Sequence, residues 1–507
     1  MVSHLRGGQG LLHGWETVVG LEVHAQVAAA TKLFSGAPTQ AGAGAPAAPN
    51  SRVAAFDAAL PGTLPSVNWG CVAAAVRTGL ALGGSVAPRL EFDRKHYFYP
   101  DLPHGFQLTQ RRSPIVSGGA LEVPAPGASA SASATRRVRI QQVQLETDTG
   151  KLSRGGAGGP AGAVNLDLNR AGTALMEIVT EPDLRSGAEA AGFVRALQKL
   201  LRHLGTCHGA MEDGGLRVDV NVSVRSDLAS SSRREIKNLN SFKRIEHAVE
   251  YEARELQAAM EAGRHVPSET LGWDVAQGRT YPMRSKERLL DYRFMPEPDL
   301  PPVPLTAALV RELAGGDLEP PEAAQRRLAE EFGLPAALAA ALADDPGQLG
   351  YFRDVAGAGG GRLDPPAVAR FVTGDLVGLG RAAALGAAEC RARLGPGACA
   401  ELLGAVASGR ISMRMAKGIA EAVLGGDART VEALVEAQGG GQVSDAAAIA
   451  ELCRAVLDEF PDKVALYRAG KTKLLGMFVG QVMKRSEGRA NPQQVSAPVK
   501  ALLEPPP

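Results

Sequence analysis

The sequence predicts an α+β chain in which an antiparallel sheet comes first and helices follow. Three observations carry that reading. GLEVHAQV, residues 20–27, alternates apolar Leu21, Val23, Ala25 and Val27 with polar Glu22, His24 and Gln26, the period-2 pattern of a strand. LRVDVNVSVR, 216–225, repeats it, with Val218, Val220, Val222 and Val224 against Arg217, Asp219, Asn221, Ser223 and Arg225. From 305 to about 455, Leu and Ala recur at three- and four-residue spacing with Gly-rich connections, which is the pattern of helices.

Along the chain, MVSHLRGGQGLLHG comes first. It has no acid before Glu16 and carries Arg6, a weak similarity to an organelle import segment. Residues 1–14 are expected to be disordered. From 15 to 300, short alternating strands mix with helices, punctuated by turns such as ALPGTLP and YPDLPHG. PAPGASASASA, 124–134, is low in complexity and reads as a surface loop insertion. PEPDLPPVP, 296–304, is a Pro-rich break and reads as the domain boundary. The segment 456–500 is again helical. Between Lys463 and Lys500 it holds eight Lys/Arg against one acid, Glu487. No internal repeat of fixed period is visible.

With 507 residues the chain can build two to four domains with real cores. The net charge of +1 gives no global field for nucleic acid or membrane, so such a partner needs a local patch. No apolar run reaches the length of a membrane span. The five cysteines are scattered with no C-x-x-C pair, which argues against a Cys-rich zinc site and fits a reducing compartment.

Polar-faced strands recur. QQVQLETDTGK places Gln142, Gln144, Glu146 and Asp148 on one face; MEDGG sets Glu212 and Asp213 beside a flexible turn. NLDLNRAG supplies Asp167, Asn169 and Arg170, and REIKNLNSF supplies Glu235, Lys237, Asn238 and Asn240. FDRKHYFYPDLP gathers Asp93, Arg94, Lys95, His96 and Tyr97. Such strands suggest an antiparallel sheet with one face on helices and the other on a wet cleft. Glu22, Glu146 and Glu212 with His24 are suitable ligands for Mg²⁺ or Mn²⁺, and neighbouring Arg and Lys suit phosphate oxygens. Together they describe a metal–nucleotide site for phosphoryl transfer. A sheet with a plainly solvated charged face satisfies the same pattern. No phosphate-binding loop G-x-x-x-x-G-K-[ST], no G-x-G-x-x-G between strand and helix, and no G-x-S-x-G elbow occurs. The basic tail, with Lys471, Lys473, Lys484 and Arg485, reads either as a solvated helix face or as a patch for a phosphate backbone. GRISMRMAK, 409–417, is a second small basic cluster.

WETVVGLEVHAQV, ALPGTLPSVN, FDRKHYFYPDLPHGFQLTQ, LDLNRAGTALMEIVTEPD, MEDGGLRVDVNVSVR, EIKNLNSF, DYRFMPEPDL and KLLGMFVGQVMKRSEGRANP resemble the B subunit of the aspartyl/glutamyl-tRNA amidotransferase. The resemblance covers the chain from about 15 to 500 and is thinnest between 305 and 450. It implies a cradle domain over 15–300, related to glutamine-synthetase-type enzymes, then a helical domain over 301–397 and a tRNA-binding helical tail over 398–507. It implies a heterotrimer in which an amidase, the A subunit, and a small protein, the C subunit, are the partners. The amidase would release ammonia from glutamine. The chain with these motifs would use ATP and Mg²⁺ to activate the carboxylate of glutamate misacylated on tRNA(Gln).

By the same resemblance, Glu22, His24, Glu146 and Glu212 match the metal-binding positions. Lys95 and Tyr97 match the region where ammonia arrives, and Arg170, Asn221, Lys237 and Asn240 match cleft positions; Arg217, on the polar face of 216–225, is a further candidate for nucleotide binding. Where many bacterial members read H-x-E-E-D, this chain has Gln144-Leu145-Glu146-Thr147-Asp148, which puts a second metal position in doubt. DYRFMPEPDLPP and FSGAP look like the mitochondrial form, which implies a matrix protein; a plastid or bacterial cytoplasm is the alternative. Two other readings stay open: an autonomous ATP-dependent carboxylate–amine ligase, and a non-catalytic tRNA-binding scaffold.

Overall fold

The computed structural model describes residues 11–12, 14–40, 47–124, 135–154, 164–285, 291–315, 318–437, 446–486 and 492–503. Most of the low-complexity stretch 124–134, and the leader up to residue 10, lie outside the described residues. The chain divides into two compact units, 1–321 and 322–507.

The first unit is built on strand β1 (Trp15–Gln26). Its alternation works as the sequence implies: Val19, Leu21, Val23 and Ala25 are at most 1% exposed, while Glu22 and His24 take the opposite face. The other strands are β2 (Ser85–Val86), β3 (Val116–Ser117), β4 (Thr135–Thr147), β5 (Ala174–Thr180), β6 (Leu216–Arg225), β7 (Arg234–Leu239), β8 (Glu269–Asp274) and β9 (Arg279–Ser285). They lie in the order β9-β8-β7-β6-β1-β5-β4-β3-β2 within an 11-stranded sheet. All pairs in this order are antiparallel except β7–β8. Leu11–Leu12, expected in a disordered leader, instead pairs with Trp15–Glu16 and gives the start of β1 a neighbour.

Helices α1 (Trp69–Ala81), α2 (Gly187–His203) and α3 (Phe242–Glu261) share one core with the valine face of the sheet. Ser186 and Ser241 cap α2 and α3 by accepting from Glu189 N and Arg244 N. α2 and α3 approach so closely that a Cβ at Gly187 would sit 2.3 Å from Glu246 O, so only glycine fits there. A hairpin of Asp93–His96 and Phe106–Thr109 is tied to the backbone of β4: Gln107 Nε2 donates to Thr147 O at 2.7 Å, and Leu145 N donates to Gln110 Oε1 at 2.8 Å.

The Pro-rich stretch 296–304 is not a boundary. Met295–Pro296 pairs with Arg94–Asp93, and Val303–Pro304 pairs with Leu90–Arg89. Leu300 and Leu305 are buried in the first core. Proline tolerates an edge strand that needs few donors, so the segment is stitched to the sheet domain.

The second unit is helical. One core runs from Ala324 to Val435 around Phe352, Phe371 and Leu402. Another runs from Ile449 to Leu503 around Phe478, Val482 and Val499. No described helix is long and apolar enough to cross a membrane.

Phe193 on α2 is 0% exposed in the first core. Phe193→Ala should lower the unfolding free energy by about 3–5 kcal/mol, read from the urea midpoint. A loss below about 1 kcal/mol would show that α2 does not close this core.

Candidate active site

Strand register builds the polar face. Glu177 on β5 and Arg217 on β6 stand directly beside His24 on β1, and Asp219 stands beside Glu22. Gln144 on β4 stands beside Glu177. Side chains paired across antiparallel strands are within reach of one another, so residues distant in sequence converge.

His24 sits at the centre. Its Nδ1 lies 3.2 Å from Glu146 Oε1 and its Nε2 3.9 Å from Asp219 Oδ2. Glu22 Oε1 accepts from Asn221 Nδ2 at 3.0 Å. Glu177 Oε2 accepts from Gln144 Nε2 at 2.5 Å. Asp219 Oδ2 accepts from Lys237 Nζ at 2.6 Å and its Oδ1 from Asn238 N at 2.8 Å. The β6–β7 register shifts at this point, and Asn238 takes φ 58°. Such a bulge re-aims side chains, and here the Lys237 ammonium reaches both Asp219 and Glu235.

Two arginines converge on Asp148. Arg217 Nη2 donates to its Oδ2 at 2.8 Å, and Arg170 Nε lies 3.5 Å from the same oxygen. Arg170 also donates to the carbonyls of Thr149 and Gly150. Arg217 Nε is buried with no hydrogen-bond partner among the described residues. Lys95 Nζ lies 5.8 and 5.0 Å from the rings of Tyr97 and Tyr292.

Burial opposes charge on His24, Glu146, Glu177 and Lys237, and the partners decide the outcome. For His24, burial opposes the proton, but Glu146, Glu177 and Asp219 outweigh it and raise the imidazole to about 9. Burial also works against ionised Glu146, yet His24 and Lys95 hold its carboxyl below the usual range. Glu177 goes the other way: burial and the Glu146 charge push it up. Burial penalises Lys237, but Asp219 and Glu235 raise it.

Two sets of donor atoms each lie within 4.8 Å of one another: Glu22, His24 and Asp219, and His24, Glu146 and Glu177. Carboxylates with one imidazole suit Mg²⁺ or Mn²⁺, and an acid cluster that holds extra protons has the surplus negative charge that a divalent cation relieves. Of the expected ligands, Glu22 and Glu146 each share a set with His24 but not with each other. Glu212 is exposed in the turn at 211–214 and belongs to neither set. Asp219 and Glu177 complete the sets instead. Asp219 is visible in the sequence on the polar face of 216–225, though nothing there singles it out as a ligand. Sequence reasoning misses Glu177; its signal is one acid inside the otherwise apolar ALMEIVT. Asn221, Lys237, Arg217 and Lys95 border the cluster, and Arg170 reaches it through Asp148. Asn240 is engaged elsewhere: its Oδ1 accepts from Arg244 at the start of α3. In the second unit, Lys471, Lys473, Lys484 and Arg485 are all exposed, and Arg485 pairs with Glu459 at 3.0 Å.

The sheet face thus gathers an acid–imidazole centre flanked by guanidinium and ammonium groups, donor types that suit a divalent cation and phosphate oxygens. A family profile described as the GatB/GatE catalytic domain matches residues 17–311, and one described as the GatB domain matches 351–503. The chain is 48% identical to the chloroplastic/mitochondrial B-2 subunit of glutamyl-tRNA(Gln) amidotransferase from Micromonas pusilla, covering 97% of this chain and 87% of that one. It is 46% identical to the corresponding B subunit of Ostreococcus tauri, over 95% and 91%. It is 43% identical to the B subunit of aspartyl/glutamyl-tRNA(Asn/Gln) amidotransferase from Methylocella silvestris, over 98% and 97%. The chain belongs to the family of B subunits of the aspartyl/glutamyl-tRNA amidotransferase.

A raised His24 stabilises the cation-free fold below its unfolded value of 6.5, and that contribution is lost as pH rises through about 9. A divalent cation held by either set would displace a proton from His24, and one held by the second set would also displace the proton on Glu177. Binding of Mn²⁺ at pH 7 should therefore release about one to two protons per ion, with affinity rising toward pH 9. Calorimetry in buffers of different ionisation enthalpy measures this; zero proton release would remove His24 from the ligand set.

Proposed function

We propose that the polar face of the sheet is where the side-chain carboxylate of glutamate on misacylated tRNA(Gln) is activated by ATP and amidated. Family membership makes the chain the B subunit of a ligase with glutamine-derived amide nitrogen, which converts Glu-tRNA(Gln) to Gln-tRNA(Gln). The observation that carries the assignment of the chemistry to this face is the pair of three-ligand sets sharing His24, beside Lys237, Arg217 and Lys95.

Glu22, His24 and Asp219 would hold Mg²⁺, which when bound neutralises phosphoryl oxygens. Lys237 and Arg217, with Arg170 behind Asp148, supply the fixed positive charge that phosphoryl transfer needs in place of water. The γ-phosphoryl group passes to the glutamyl carboxylate, and the bond to the β-phosphate breaks. Ammonia then attacks the acyl carbon and phosphate leaves. Lys95, between Tyr97 and Tyr292 and acting electrostatically on Glu146 and Glu177, marks the side where ammonia enters. A carboxylate of this cluster takes the proton ammonia gives up. The convergence of two three-donor sets on His24 argues against a mere scaffold.

The full enzyme on this reading is a heterotrimer. Its other members are an amidase, the A subunit, and a small C subunit, and the sheet serves as a cradle of the glutamine-synthetase type. Relatives include organellar and bacterial proteins. The mitochondrial-type wording of 291–302 supports the mitochondrial matrix, and imaging of a tagged chain separates that from the plastid.

Glu22→Ala in the assembled complex should cut Gln-tRNA formation by ~10²–10³, the equivalent of ~3–4 kcal/mol of transition-state stabilisation. Glutamine hydrolysis by the partner should persist. Near-normal transamidation in this variant would sink the cation assignment.

The exposed tail cations give a separate test. Replacing Lys471, Lys473, Lys484 and Arg485 by Ala should weaken tRNA binding, with the slope of log K against log salt falling by ~0.7–0.9 per lost contact. Equal affinities and slopes in wild type and variant would mean that tRNA is held elsewhere.

A further inference from the structure

The Lys32 side chain is fully buried, at 0% exposure, and the chemistry above does not use it. Its Nζ donates to Asp57 Oδ2 at 2.9 Å, and the Asp57 side chain is 1% exposed. Asp57 also accepts from Ser35 Oγ at 2.9 Å and Ala54 N at 2.8 Å. A buried pair of this kind is a poor device for stability alone, because apolar residues of similar volume do as well or better. What sets this pair apart is what lies on it.

The ammonium of Lys32 also reaches Leu168 O at 3.3 Å. Leu33 N donates to Gly172 O at 3.0 Å. Gly172 has φ 81°, and a Cβ there would lie 2.8 Å from Asp57 Oδ1. The turn 168–172 is thus seated directly on the ion pair, held at both ends. Arg170 projects from the middle of that turn to Thr149 O, Gly150 O and Asp148 Oδ2. Asp148 is in turn held by Arg217, beside His24 in the sheet register. A continuous chain of contacts therefore runs from the buried pair to the two guanidinium groups of the site.

We propose that Lys32 and Asp57 are positioning residues: their buried ion pair fixes the 168–172 turn so that Arg170 is aimed at Asp148 and, with Arg217, at the phosphates of the nucleoside triphosphate. This rests on the reading of Arg170 and Arg217 as phosphate-binding groups. The pair touches neither substrate nor cation, and acts through the backbone of the turn.

The test uses the assembled complex with ATP, glutamine and Glu-tRNA(Gln), and compares four variants: Lys32→Met/Asp57→Met, Gly172→Ala, Arg170→Ala, and the triple Lys32→Met/Asp57→Met/Arg170→Ala. The double variant replaces two charges by apolar side chains and should keep a near-normal melting temperature and normal glutamine hydrolysis. Its KM for ATP should rise about tenfold, the usual effect of losing a hydrogen bond to a charged group. Arg170→Ala should do the same, and the triple variant should be no worse than Arg170→Ala, since coupled residues are non-additive. A stable double variant with wild-type KM and kcat overturns the inference, as does a triple variant whose losses simply multiply. If the double variant does not assemble, Gly172→Ala decides: it keeps both charged side chains but sets a Cβ against Asp57 Oδ1 at a positive φ, which disturbs the seat of the turn on the pair, and a wild-type KM for ATP in it overturns the inference. If Arg170→Ala alone has a wild-type KM, the phosphate-binding reading fails and takes the inference with it. A raised KM in Arg170→Ala with a normal double variant defeats the inference only.

Discussion

Burying carboxylates beneath a sheet is the constraint that the first unit answers throughout. Glu146, Asp148, Asp219 and Glu235 are each at most 8% exposed. An ionised carboxyl in such a place is costly unless it is paired and hydrogen-bonded. Each therefore has a cation at hand: His24 for Glu146, Arg217 for Asp148, and Lys237 shared by Asp219 and Glu235. Glu177 is balanced less well: its described hydrogen bond comes from the neutral amide of Gln144, and its carboxyl is pushed up accordingly. These five carboxylates share three cations, His24, Arg217 and Lys237, a surplus of negative charge that is the electrostatic reason the face suits a divalent ion.

This balance is possible because of the period of a strand. Side chains alternate, so a one-residue slip of β1 would send Glu22 and His24 into the core and Leu21 and Val23 onto the polar face. The valines of β6 lock the register by filling the opposite face at 0% exposure. Packing and chemistry are therefore the same specification read from two sides. The bulge between β6 and β7 is the one local departure, and it delivers Lys237 to Asp219.

The alternation itself is legible in the sequence. Residues 216–225 form a strand with the bounds their pattern implies, and the polar face at Glu22, His24, Glu146, Asn221 and Lys237 is where the pattern puts it. Cross-strand register is not legible, because it depends on pairing between segments far apart in the chain. That is why Glu177 escapes a reading of the sequence: only its place beside His24 gives it a role. Glu212 fails for the converse reason. It lies close in sequence to a polar strand but beyond the strand's end, where the turn exposes it. The Pro-rich stretch misleads because proline marks an edge strand as readily as a linker, and composition does not distinguish them.

Register also limits how the two ligand sets can work together. Both contain His24, whose Nδ1 faces Glu146 and whose Nε2 faces Asp219. A neutral imidazole has one nitrogen with a free lone pair and one that carries a proton. It therefore ligates one cation at a time, and the other nitrogen donates to the carboxylate it faces. A cation on the Glu22–Asp219 side would take Nε2 and leave Nδ1–H donating to Glu146, an arrangement that fixes the tautomer as outer-shell carboxylates do. A second ion beside Glu146 and Glu177 would then have oxygen ligands alone, in a place where Gln144 and Thr147 add no charge. Among the described residues the sheet therefore offers one position that an imidazole could ligate and one that oxygens alone could hold.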